Sequence, residues 1–312
     1  MKIIFISYMN RSGSSFLCNE LSKAKEFCVC PEADILFDIF CWKPLKRISK
    51  KKWKSIIRII ANDLKFKMWE IGIYFLNNIE TDKLTRWNIF ILILYEYQRL
   101  NNPKAKFIVF KHPEISHLKG FPIEPFSDVY FIHLLRDPRA VFYSQKNAFA
   151  PVLNTSMSDN CLTTAHEYKS YYKKIITGHF KSKVIKYEDL ISEYQKTIAE
   201  LQEFFNPGSP VSFNVKGNYK DKIISTNQHL HKNLDEKPDT GRIKAWENQL
   251  TDLEVSVIEK YCHSLFSDSY YKKSELNMAL TPHKMIYLIR GYLKFLYRKK
   301  DIVKRNLERF PL

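Results

Sequence analysis

Two short stretches concentrate the residue types that grip anions. The first is Asn10-Arg11-Ser12-Gly13-Ser14-Ser15, which follows the apolar run Lys2 to Tyr8 and precedes a helix-like pattern over Phe16 to Lys25. The apolar run is rich in β-branched residues, as expected of a central parallel strand. A loop leading from such a strand into a helix offers free backbone N–H groups at the positive end of the helix dipole. Gly13 lets the backbone close on a ligand. Ser12, Ser14 and Ser15 add hydroxyl donors, and Arg11 adds a permanent charge. The pattern predicts a phosphate or sulfate socket; a plain Ser-rich helix cap is the alternative. It is not a G-x-x-x-x-G-K-[ST] loop, because no Lys follows a second Gly, and no acidic strand end offers itself to magnesium. Both points argue against an ordinary ATPase or kinase.

The second stretch is VYFIHLLRDPRAVFYSQ, Val129 to Gln145. It repeats the theme of strand, polar turn and helix, with Asp137 as cap and Pro138 at the first helical position. Arg136 stands at the strand end, suited to a bidentate grip on phosphate. Ser144 lies about two turns into the helix. Two anion sockets at the ends of two parallel strands suit a ligand with two phosphate-like groups. Pairing of Arg136 with Asp137 or a carbonyl, and a merely exposed Ser144, are the alternatives.

The elements around these stretches alternate between strand and helix. Phe27 to Val29, Phe107 to Phe110 and Lys183 to Tyr187 read as further strands. Helices are expected over Cys161 to Phe180, over Leu190 to Phe205 with Asp189 as cap, and over Thr251 to Leu265. Residues 41–100 read as a basic, aromatic helical insertion, 206–239 as loop, and 281–312 as a helical tail. The predicted fold class is α/β, a P-loop-like three-layer α/β/α arrangement with a central parallel sheet and that insertion. Residues 1–280 are expected to form one domain, with 281–312 as a basic amphipathic tail.

Composition narrows the ligand class without naming it. With 312 residues, 45% hydrophobic and 27% charged, the chain can bury a sizeable core. Its formal charge of +17 favours an anionic ligand, polymer or membrane surface. The six cysteines make no C-x-x-C pair, and Cys28 and Cys30 are too close for an ordinary zinc half-site. Reduced, buried thiols and no metal are expected. No stretch reaches 18 apolar residues without charge, and the N-terminus is not a secretory signal. The expected location is the cytoplasm, with peripheral contact at the inner membrane face as an option.

Together the two stretches resemble the donor site of sulfotransferases that use 3′-phosphoadenosine-5′-phosphosulfate (PAPS). Arg11-Ser12-Gly13-Ser14-Ser15-Phe16-Leu17 is similar to the family's 5′-phosphosulfate loop, and Arg136-Asp137-Pro138-Arg139 with Ser144 to its 3′-phosphate motif. Lys186-Tyr187-Glu188-Asp189-Leu190 resembles the late strand-to-helix junction, where the Tyr sits near the nucleotide. Gly241-Arg242 with Trp246 resembles the C-terminal segment whose Arg closes over the 3′-phosphate. The Ser-Gly-Ser-Ser form is closer to carbohydrate and bacterial sulfotransferases; the cytosolic phenol and steroid enzymes usually carry Lys where this chain has Arg11.

The resemblance implies transfer of a sulfuryl group from PAPS to a hydroxyl or amine, with no metal and no nucleic acid. The implied acceptor is a carbohydrate or a lipid-linked sugar. It places Arg11 at the leaving oxygens and Arg136, Ser144 and Arg242 at the 3′-phosphate. Cys30-Pro31-Glu32-Ala33-Asp34 occupies the region after the first helix, where relatives carry a base, so Glu32 is the leading candidate and Asp34 the nearby one. On the same rim His112 is a second candidate base, and Lys111 is a candidate contact for the sulfuryl group. His133, inside an apolar strand, reads as a core histidine. Lys43 to Arg58 is either a groove for an anionic glycan or headgroup, or a solvated helix face. The tail Lys284 to Lys300 either lies on an anionic membrane or packs on the domain. Two other function classes compete: a nucleotide or nucleoside kinase with a degenerate phosphate loop, and a basic polyanion or membrane binder without a nucleotide site.

Overall fold

Strand β1 (Lys2–Tyr8) explains the layers by its alternation. In the computed structural model Ile3 and Phe5 face one hydrophobic cluster, while Ile4, Ile6 and Tyr8 face another. A strand that is apolar on both faces must be covered on both faces. The structure describes residues 2–118, 128–150, 155–177, 181–205, 208, 211–213, 215, 217–231, 234, 236, 239–267, 270–274, 281–286, 288–293 and 296–297.

Five strands form the parallel sheet. They are β1, β2 (Phe27–Val29), β3 (Phe107–Lys111), β4 (Val129–Leu135) and β7 (Ser182–Lys186), in the order β2-β3-β1-β4-β7. A small antiparallel ribbon joins β5 (Phe149–Ala150) to β6 (Thr155–Ser156). The chain winds from β1 outward to β2 and β3, then returns past β1 to β4 and β7. The order reverses beside β1, and such a reversal leaves a crevice beyond the strands' carboxyl ends. Register then sets the site: Tyr8 pairs with Leu134 and Ile6 with Lys111. The loops after β1 and β4 therefore emerge side by side, with the end of β3 on the other flank.

Helices cover both faces, as the alternation of strands and helices requires. One face packs on α2 (Asp34–Phe40) and on the run α3 (Lys50–Asn62), α4 (Leu64–Lys67), α5 (Ile73–Asn77) and α6 (Arg86–Asn101). Phe5 lies at its centre, with the rings of Trp87 and Phe131 5.7 Å away and that of Phe90 6.2 Å away. α3 divides the basic stretch by face. Trp53, Ile56, Ile57 and Ile60 are buried, Trp53 Nε1 donates to the Leu76 carbonyl at 2.9 Å, and Lys50, Lys51, Lys54 and Arg58 face solvent. The other face packs on α1 (Ser14–Leu21), α9 (Tyr187–Ser192) and α10 (Tyr194–Phe205). A third cluster gathers α7 (Pro138–Lys146), α8 (Cys161–Ile176), α12 (Asp252–Tyr261) and α13 (His263–Ser267), while the short α11 (Ser225–Gln228) lies between α10 and α12, within the stretch the sequence reads as loop.

Several boundaries differ from the sequence reading. The first helix begins at Ser14, inside the anion loop, and ends at Leu21. α8 ends at Ile176; residues 178–180 lie outside the described residues. Asp189 is not a cap: the strand stops at Lys186, α9 starts at Tyr187, and Asp189 sits in its first turn. The expected helix over Leu190 to Phe205 is broken at Glu193, so that α9 and α10 are separate. Asp137 does cap α7, accepting from the Arg139 N–H at 2.8 Å with Pro138 at the helix start. All six cysteines are free and buried. His133 is a core histidine, its Nδ1 2.6 Å from Ser7 Oγ.

Arg139 carries a structural load rather than a ligand. Its guanidinium meets Asp137 and Glu259, each at 2.6 Å, and stacks over Trp246 at 4.1 Å. All three charged groups are buried, so removing one strands the others. Arg139→Met is expected to destabilise the fold by about 3–5 kcal/mol, measured as the loss of unfolding free energy in urea. A loss below about 1 kcal/mol, the size of an exposed pair, would contradict this.

Candidate functional site

The loop after β1 is shaped by two left-handed residues. Arg11 has φ 75° and Gly13 φ 91°. A glycine is needed at 13 for a second reason: a Cβ there would lie 2.3 Å from Cδ2 of Tyr187. Tyr187 cannot yield easily, because the Arg136 guanidinium stacks over its ring at 4.3 Å. Gly13→Ala is thus expected to cost about 1–3 kcal/mol in stability through strain, read by thermal melting. It should also disturb the Tyr187–Arg136 stack.

Arg136 locks the two loops together. It donates to the Arg11 carbonyl at 2.8 Å and to the Arg242 carbonyl at 3.0 Å. Its own backbone is clamped by Tyr168, whose hydroxyl donates to the Arg136 carbonyl and accepts from the Arg136 N–H. Arg11 in turn donates from Nε to Ser144 Oγ at 3.1 Å and from a terminal nitrogen to the Leu230 carbonyl at 3.2 Å. Among the described residues neither Arg11 nor Arg136 makes an ion pair. Burial, then the neighbouring Arg136 and Arg242, lower the Arg11 pKa. The guanidiniums of Arg136 and of Arg242, the latter paired with Asp239 at 3.4 Å, thus repel that of Arg11, a repulsion that an anion would relieve. Two buried polar atoms here, Arg136 Nε and Ser12 Oγ, have no hydrogen-bond partner. Buried polar groups are normally paired, so the donor set fits a bound anion.

Lys111 comes up from β3 on the other flank. Its ammonium donates to Ser15 Oγ at 2.8 Å, pairs with Glu32 at 2.8 Å and lies 5.2 Å from the rings of Tyr8 and Tyr219. Glu32 also pairs with Lys65 at 3.3 Å, and Lys65 with Asp34 at 2.5 Å. Burial pushes the Glu32 carboxyl up, but Lys111 and Lys65 outweigh it and hold the group well below the usual carboxylate range. Burial lowers His112 to about 4, against the opposing pull of Asp34 and Glu114. It is therefore neutral near pH 7. Its Nδ1 accepts from the Glu114 N–H at 3.2 Å, which leaves the ring proton on Nε2, 3.6 Å from Asp34 Oδ1.

The rim therefore brings together Arg11, Ser12, Gly13, Ser14, Ser15, Arg136, Ser144, Tyr187, Glu32 and Lys111. Phe16 is half-buried and packs its ring against the core cluster on the α1 face. Gly241 and Arg242 lie in an exposed turn held by Asp239; it is the Arg242 carbonyl that bonds to Arg136. Sequence reasoning missed Lys65, Tyr168, Tyr219 and the Leu230 carbonyl. Lys65 is one of many basic residues in the 41–100 insertion, and nothing local ties it to Glu32. Asp38, one turn beyond Asp34, was also missed; burial, then Asp34, pushes it up to about 6. Among the described residues no group of three or more His, Cys, Asp or Glu could hold a metal ion.

Comparison with known proteins places this architecture. The sequence pattern of the sulfotransferase family matches residues 4–207. No curated protein matches the chain. Among solved structures, the sulfotransferase domain of the Synechococcus PCC 7002 olefin synthase is 15% identical, with TM-score 0.55 over 87% of this chain and 94% of that one. The sulfotransferase domain from the curacin biosynthetic pathway is 17% identical, with TM-score 0.51 over 88% of this chain and 99% of that one. At such identities these likenesses speak to the fold, a central parallel sheet flanked by helices. The span of the family match includes both anion loops and the junction at Tyr187, and on that ground the chain belongs to the sulfotransferase family.

Proposed function

We propose that this protein transfers a sulfuryl group from PAPS to a hydroxyl, or an amine, of a carbohydrate or glycolipid acceptor. The observation that carries the reading is the convergence of Arg11 and Arg136 without an ion pair, beside the partnerless Ser12 Oγ and Arg136 Nε. In this reading the loop N–H groups, Arg11 and the serines hold the 5′-phosphosulfate. Arg136, Ser144 and Arg242 hold the 3′-phosphate, and Tyr187 flanks the nucleotide. Lys111 neutralises charge on the sulfonate oxygens.

The bond between sulfur and the bridging phosphate oxygen breaks as a bond from sulfur to the acceptor oxygen forms. The acceptor proton passes to Glu32, and 3′-phosphoadenosine 5′-phosphate leaves. We treat the step by analogy with phosphoryl transfer, where positioning and charge stabilisation dominate. Glu32 is favoured over His112 as base because the neutral His112 carries its proton on Nε2 and spends Nδ1 on a backbone N–H. The reading assigns the reaction to the cytoplasmic side, where the thiols stay reduced.

The test supplies PAPS labelled in its sulfuryl group, with panels of sugars and glycolipids as acceptors. Label appearing in an acceptor, with stoichiometric release of 3′-phosphoadenosine 5′-phosphate, is the expected result. Label retained in PAPS across carbohydrate, glycolipid and simple hydroxyl acceptors would count against the assignment.

A further inference from the structure

The tail carries a surface that the sulfuryl-transfer reading does not use. Residues 282–286, 288–293 and 296–297 are helical. One side docks on the body: Leu288 is buried in the α7–α8–α12 cluster, and the Tyr292 ring lies 5.3 Å from that of His166. Gly291 fits closely there, since a Cβ on it would fall 1.9 Å from Asn160 Nδ2. The other side is uncovered. Met285, Ile286, Ile289, Leu293, Leu296 and Tyr297 are 42% to 69% exposed. They are six of the sixteen large apolar residues exposed among the described residues, gathered within 13 positions. At helical spacing they share an arc of about 120°, with Arg290 at its edge.

Charge selects the occupant. Residues 281–312 hold nine Lys or Arg and only two Asp or Glu. A second copy of so basic a segment would be repelled, whereas an anionic surface would be attracted. An apolar arc with a cation at its edge lies in a lipid interface with its apolar residues at the headgroup boundary. No helix among the described residues is long and apolar enough to cross a membrane. The tail also sits at the loop end of the sheet. Asn160 caps α8, Thr164 of its first turn donates to Gln145 at 2.8 Å, and Gln145 donates to the Asn10 carbonyl at 3.1 Å.

We propose that the helical tail docks this protein peripherally on an anionic phospholipid surface through Met285, Ile286, Ile289, Leu293, Leu296 and Tyr297. Docking would hold the candidate site's end of the molecule near the bilayer. The proposal stands whether or not the donor is PAPS.

The test is co-sedimentation of the full chain with phosphatidylcholine vesicles, with and without phosphatidylglycerol. Binding is expected only to the anionic vesicles, falling as salt rises. Ile289→Glu with Leu293→Glu, both exposed, should lower partitioning at least about tenfold. Arg290→Glu, at the edge of the arc, should lower it by about fivefold or more. Light scattering in the same buffers is expected to show no self-association through the tail. Equal partitioning of the Ile289→Glu, Leu293→Glu double variant, or equal binding to neutral vesicles, would overturn the proposal. So would a wild-type dimer that this variant dissolves, because the arc would then be covered by a second copy.

Discussion

Replacing Arg136 by Ala is expected to weaken binding of 3′-phosphoadenosine 5′-phosphate by about 10²–10³-fold, measured by calorimetry. The side chain supplies a forked charge to the 3′-phosphate in the proposed site. It also holds the Arg11 and Arg242 carbonyls and stacks on Tyr187. The two roles separate by ligand. Adenosine 5′-phosphate lacks the 3′ group, so its affinity should change far less. An equal loss for both nucleotides would mean that the substitution disorders the loop and that Arg136 does not read the 3′-phosphate. Arg136→Lys should fall between wild type and Ala, because a point charge replaces the fork without matching it.

Turnover of the Glu32→Gln variant is expected to fall about 10²–10⁴-fold while donor affinity is kept. Held between Lys111 and Lys65, the carboxylate is a weak base in the structure described here. In the proposed reaction a sulfonate near Ser14 and Ser15 would compete for Lys111 and return basicity to Glu32. The pH dependence has a definite sign. With its pKa held down, Glu32 stays ionised as pH falls through the ordinary carboxylate range. The acid limb of kcat/KM should therefore lie below that range rather than within it. Gln keeps one acceptor for Lys111, and melting of the variant checks that the fold survives. Unchanged turnover would remove Glu32 as base and direct attention to Asp38, whose pKa near 6 suits a proton acceptor.

The sheet was legible in the sequence because four of its five strands are short, largely apolar runs bounded by polar turns, and the edge strand β7 keeps an apolar Val184-Ile185 centre. All five of its strands were anticipated to within a residue or two of their ends. The anion loops were legible for a related reason: strand, polar turn and capped helix are local patterns, and Asp137-Pro138 marks the second one outright. What was not legible depends on contacts distant in sequence. Glu32 reads as a solvated turn acid until β3 brings Lys111 and α4 brings Lys65 against it. Gly13 looks like a turn glycine until Tyr187, from the far side of β4, fills the space a side chain would need. Arg139 looked like part of the phosphate motif, yet its three-residue offset from Arg136 turns it into the buried network with Glu259. The break at Glu193 carries no Pro or Gly, so nothing local announced it.

The most direct test of the account is a calorimetric titration of the wild-type protein with 3′-phosphoadenosine 5′-phosphate and with ATP, each with magnesium and with chelator. Binding of the 3′-phosphorylated nucleotide is expected to be indifferent to magnesium and at least about tenfold tighter than that of ATP, a gap of about 1.4 kcal/mol. Equal or tighter binding of ATP, or a requirement for magnesium, would contradict the assignment of Arg136 and Ser144 to a 3′-phosphate.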